Sequence, residues 1–128
     1  MTTGIVTSEL EAVLNVHLQG VNGRTDTLAA VLDTGFDGFI TLPPDLLAEM
    51  GSPFAGTKRA TLADGSETMF RIFDVTVYWQ GQLLLVPALE VDTGALVGMA
   101  LLHGSRLTID VVENGPVRIE PIERKTNA

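Results

Sequence analysis

Asp33 is the residue in this chain best placed to do chemistry. The apolar run Leu28-Ala29-Ala30-Val31-Leu32 carries it into the small-residue turn Thr34-Gly35, and Phe36-Asp37-Gly38 leads on to a second apolar run, Phe39–Leu42. A carboxylate in such a setting is costly to bury as an ion unless it is paired or shares a proton. Two such acids from two chains, holding one proton between them, would meet that requirement and could activate a water. The tripeptide alone is weak evidence, because Asp-Thr-Gly recurs at Asp92-Thr93-Gly94.

Other chemistries find less support. His17 and His103 stand alone, without the spacing of metal ligands, so no metal is expected. Ser66, His103 and Asp110 could be combined into a triad on paper, but nothing around Ser66 resembles a nucleophile elbow. Gly20-Val21-Asn22-Gly23 lacks both the pattern and the lysine of a phosphate loop. Without cysteine there is neither a disulfide framework nor thiol chemistry, and no cofactor is implied. A net charge of −8 disfavours nucleic acid and anionic membrane surfaces, both of which select for Lys and Arg. No apolar run is long enough to span a bilayer. No basic residue precedes Arg24, so a signal peptide's charged start is missing and a cytoplasmic location is expected.

The elements that must position Asp33 are mostly strands. Val13–Leu18 alternates and should form a hairpin with Thr27–Leu32 through Gly20–Gly23. Pro43-Pro44-Asp45 opens a short helix that presents Leu46, Leu47 and Met50 on one face and stops at Gly51. Thr57–Leu62 and Glu67–Phe73 form a hairpin around Asp64-Gly65, and the second strand runs on through Val75, Val77 and Trp79 to a turn at Gln80-Gly81. Trp79 and Tyr78 read as core or interface aromatics. Leu83–Val91 is apolar at almost every position, which predicts burial on both faces or in an interface, with Pro87 at an edge or bulge. Ala95–Val97, Gly98 and Met99–Leu102 read as a strand, a tight passage and one helical turn. Arg106–Val112 and Val117–Ile119 make a last hairpin. The expectation is a mainly β protein: a small closed or partly closed barrel with one or two short helices, one domain over 1–122 and a flexible tail over 123–128.

The order of Asp33-Thr34-Gly35, the strand and helix after it, the Asp64-Gly65 hairpin, and Leu96-Val97-Gly98 before Met99–Leu102 resembles the retropepsin-like aspartic proteases. The likeness spans roughly residues 12–120 and is nearest to their small single-domain microbial members. It implies an acid-protease-like barrel acting as an aspartic endopeptidase on extended peptide or protein segments. Asp33 would be the catalytic acid, Thr34 would cross-link two active-site loops, and Gly35 would let the backbone approach substrate. Leu96, Val97 and Gly98 would support the loop from beneath. Phe36, Asp37, Asp64 and Gly65 would contact substrate, the last two as the tip of a flap.

One such motif per chain implies a symmetric homodimer with the site on its twofold axis. Asp92, just ahead of the supporting element, reads as a turn acid and not as the second catalytic group. Two departures stand out: Phe36 replaces a small residue, and Met99 replaces an arginine usual in viral members. Phe36 is read as a subgroup trait. Together the departures leave an alternative, a catalytically inactive dimer that binds peptides or serves assembly.

Overall fold

The computed structural model describes residues 1–123, so most of the expected tail lies outside the described residues. Ten strands join in one sheet that closes on itself. β2 (Ala12–Gln19) and β3 (Thr25–Leu32) form the first hairpin. Leu14, Val16 and Leu18 of β2 point into the core while Asn15, His17 and Gln19 face outward, which is the period-2 pattern of a half-buried strand. The turn between them closes with Gly20 N–H donating to Arg24 C=O at 2.6 Å.

β4 (Ile40–Leu42) leads to α1 (Pro44–Glu49). Proline in its first turn suits the helix start, and Leu47 and the following Met50 are buried. β5 (Phe54–Thr61) pairs with the first half of the 13-residue β6 (Glu67–Trp79), and β7 (Gln82–Glu90) returns along its second half. β8 (Ala95–Val97) and the single turn α2 (Met99–Leu102) follow. The chain finishes with β9 (Ser105–Ile109) and β10 (Pro116–Pro121).

Six strands close the barrel in the order β6-β7-β4-β8-β3-β2, with β2 returning to β6 through His17↔Tyr78 and its neighbours. The fold is therefore mainly β, with a closed barrel and two short helices. Leu18, Ile40, Leu42, Val77, Val97 and Trp79 fill it, and Leu47 seals one side from α1. β5 extends beyond the barrel on one side. On the other, β1 (Thr2–Val6), β10 and β9 continue the sheet from β2.

Two expectations needed correction, and one strand was not foreseen. β1 has no counterpart among the strands read from sequence. The strand expected at Arg106–Val112 ends at Ile109, because Val112 N–H and Gly115 N–H bond back to Asp110 and Val112 carbonyls in a turn. β7 is buried on one face only within the protomer: Val86 and Ala88 face the core, whereas Leu83 and Leu85 are exposed. Pro87 does lie where β7 has a single partner, since β4 joins it only from Ala88 onward. No described helix is long and apolar enough to cross a membrane.

Candidate active site

β3 ends at Leu32, and its parallel neighbour β8 holds what comes next. Ala30, Val31 and Leu32 lie beside Ala95, Leu96 and Val97, and Asp33 N–H donates to Val97 C=O at 2.9 Å. Asp33 thus leaves the barrel with its backbone still in the ladder. Its side chain is half-buried, and Gly35 N–H donates to its Oδ1 at 2.9 Å. Among the described residues no other donor is bonded to the carboxylate.

The remainder of the loop is tied to residues 98–100. Met99 N–H donates to Phe36 C=O at 2.8 Å, Ala100 N–H to Gly38 C=O at 3.0 Å, and Gly98 N–H to Phe39 C=O at 3.0 Å. These bonds bring Gly98 so close that a Cβ there would strike the Phe36 ring and the carbonyls of Phe36 and Gly38. A Cβ on Gly38 would strike the same ring. Phe36 is therefore accommodated by two glycines, and its bulk is part of how the loop packs. Beneath it, buried Thr41 accepts Leu96 N–H at 2.9 Å and lies 3.5 Å from Gly94 C=O, linking β4 to the entry of β8.

Asp33, Gly35, Phe36 and Asp37 form one side of a cleft of about 500 Å³. Leu89, Val91 and Leu96 make its apolar wall, and the shank of the β5–β6 hairpin overhangs it through Lys58, Arg59, Ala60 and Phe70. A second groove of about 490 Å³ runs along the outside of the barrel seam near His17, Thr27 and Tyr78. Its one acid, Asp26, is engaged by Arg24 at 3.0 Å. Only the first cleft combines apolar walls with two convergent carboxylates. A scan against known protein families finds no match to the chain, and no curated protein matches it.

The sequence-derived residues fall into three groups. Asp33, Gly35, Phe36, Asp37 and Leu96 come together in the cleft, with Val97 and Gly98 buried directly behind. Leu96 thus lines the cleft, its backbone paired between Val31 and Thr41, while the bonds to the loop come from residues 97–100. Thr34 is exposed on another side, at the rim of a groove formed with Leu10, Val31, Ile109 and Val111. Asp64 and Gly65 sit at the exposed hairpin turn, beyond the cleft lining. There Ser66 donates both its hydroxyl, at 2.5 Å, and its N–H, at 2.9 Å, to Asp64 Oδ1, which holds that carboxyl below the usual aspartate range.

Asp92 lies exposed in the turn between β7 and β8. His17 Nδ1 is 2.9 Å from Thr27 Oγ1. Among the described residues no His, Cys, Asp and Glu group is placed to hold a metal ion.

Sequence reasoning missed Thr41, Lys58, Arg59, Ala60, Phe70, Leu89 and Val91. For the hairpin the Asp-Gly signal misplaced the register: a two-residue turn at residues 64 and 65 would put Lys58 opposite Arg71, whereas Leu62 N–H bonds to Ser66 C=O around a three-residue loop and puts Lys58 opposite Phe70.

Proposed function

We propose that this protein is a retropepsin-like aspartic endopeptidase, active as a symmetric homodimer that joins Asp33 of each protomer in one site. The observation that carries the reading is Asp33 itself. Its carboxylate is half-buried at the edge of an apolar cleft, fixed through one oxygen by Gly35 N–H and overhung by a hairpin. Two like charges brought together cannot both ionise readily, so the pair would share one proton. The ionised carboxylate would take a proton from a bound water as its oxygen bonds to the peptide carbonyl carbon. The protonated carboxyl would donate to the carbonyl oxygen, and the C–N bond would then break with a proton delivered to the departing amine.

Three features of the chain support this. The loop bearing Asp33 is held by four backbone bonds to residues 97–100, the rigidity that a positioned acid needs. The hairpin gives the cleft a cover able to exclude water. Exposed Thr34 lies beside the apolar Leu10, Val31 and Val111, a surface that suits a second copy of the chain. A peptide or protein substrate in a cytoplasmic setting fits this acidic chain without cysteine.

The test joins sedimentation to a broad peptide digest at several pH values. A dimer should cleave, the Asp33→Asn protein should remain a dimer without cleaving, and a peptide mimic with a tetrahedral hydroxyl should raise Tm. Full activity in Asp33→Asn would overturn the proposal. The second reading, an inactive peptide-binding or assembly module, rests on Phe36 occupying part of the cleft. It predicts a folded dimer whose wild-type and Asp33→Asn digests are identical.

A further inference from the structure

We infer that Lys58 selects an acidic side chain in the bound peptide, two positions from a bulky apolar one. This rests on the reading of the Asp33 cleft as a peptide site. Directly opposed residues in an antiparallel pair share a face, and Lys58 stands opposite Phe70 while Arg59 stands opposite Met69. Phe70 is half-buried and lines the cleft, whereas Met69 is exposed. By register the Lys58 side chain shares the face of Phe70, while Arg59 also borders the cleft but has its side chain on the face of Met69 and Glu67.

The other cations of the hairpin are engaged elsewhere. Arg59 lies 3.7 Å from Glu67. Arg71 lies over the rings of Phe54 and Phe73, which meet edge to face, and 3.8 Å from Glu90. Among the described residues Lys58 has no carboxylate within 4 Å, although Asp33 and Asp37 border the same cleft. An ammonium group without a partner above an apolar wall is suited to a carboxylate brought in by the ligand.

The net charge of −8 opposes an anionic peptide at long range. At physiological salt that repulsion is screened beyond about 8 Å, so the nearest charge decides. In an extended peptide, side chains two apart share a face. One such pair would meet the neighbouring Lys58 and Phe70 together, an acid on the first and a large apolar group on the second.

Three labelled peptides, identical except for Glu, Gln or Lys two residues from a central Phe, test this by fluorescence anisotropy with the Asp33→Asn protein. Glu should bind about fivefold more tightly than Gln, as for an exposed ion pair, and the gap should shrink in about 0.5 M salt. Lys58→Glu should invert the order so that Lys binds best. Arg118→Glu makes the same change in net charge on β10, away from the cleft, and should leave the order intact. The inference is overturned if no peptide binds, if the order is absent or survives Lys58→Glu, or if Arg118→Glu inverts it equally. Digestion of the same peptides by the wild type reports separately on hydrolysis. A binding order without any cleavage keeps the role of Lys58 and removes the protease. Cleavage dependent on Asp33 with no binding order does the reverse.

Discussion

Asp33-Thr34-Gly35 and Asp92-Thr93-Gly94 have the same three residues and opposite circumstances. The first continues from a barrel strand, keeps its backbone in the ladder through Val97 C=O, and turns its carboxylate onto Gly35 N–H. The second is an exposed turn between β7 and β8 with no such bond to its acid. What separates them is the support: Asp33 has β8 beside it and three N–H groups from residues 98–100 holding its loop. Asp92 has a lighter tie: Val91 N–H bonds to Leu42 C=O and Thr41 Oγ1 lies 3.5 Å from Gly94 C=O, and its turn is what delivers β8 to Asp33. The same tripeptide is thus held to different degrees by its neighbours.

The largest expected effect breaks the symmetry outright. Asp33→Asn should lower turnover by at least about 10³-fold while the fold persists, and Asp92→Asn should stay within about twofold. Matched kinetics of the two variants check this, and equal losses would erase the distinction. Gly98→Ala comes next. With Phe36 and the Gly38 carbonyl in the way, it should cost about 1–3 kcal/mol in urea unfolding and displace the Asp33 loop, with loss of activity.

Thr41→Val sharpens the contrast from below. It leaves Leu96 N–H unpaired and should cost about 1–3 kcal/mol, largely restored in Thr41→Ser. The smallest effect concerns a third turn acid, Asp64. Ser66→Ala removes the hydroxyl donor, so the Asp64 carboxyl should move up toward the usual aspartate range in an NMR titration. Because folding depresses this group, its stabilising share exists above the usual range and fades as pH falls through the lowered value. The variant should therefore differ from the wild type near neutrality and converge with it in acid.

Much of the barrel could be read because its strands obey a simple alternation. β2, β3, α1 and the β8–α2 passage fall close to where periodicity and turn residues place them. β1 escaped because Thr2-Thr3-Gly4-Ile5-Val6 has little pattern of its own; it is fixed by pairing with Pro116–Ile119 at the far end of the chain. Val111 and Val112 are apolar yet exposed, so composition overextended β9. Leu83 and Leu85, exposed on the protomer, overturn the reading of β7 as buried on both faces but not the reading of it as an interface strand.

In the cleft, Asp33, Gly35, Phe36 and Asp37 could be grouped from sequence because they are nearly contiguous, whereas Thr34 lies on another side. Lys58, Phe70, Leu89 and Val91 arrive from three other segments, and only cross-strand register brings them together. The hairpin was legible as an overhang, but its shank faces Asp33 where the turn at Asp64-Gly65 had been expected.

The root of that hairpin sets how it can move. Below Ile72, β6 has β7 beside it; above, it has only β5, and the register between those two shifts at Gly56, whose φ of 128° few other residues tolerate. Arg71, its guanidinium over the rings of Phe54 and Phe73 and 3.8 Å from Glu90, sits at this junction. A hairpin joined to the barrel only there would bend about its root, with the widest swing at the Asp64 tip. Lys58, partway along, would sweep a shorter arc than the tip.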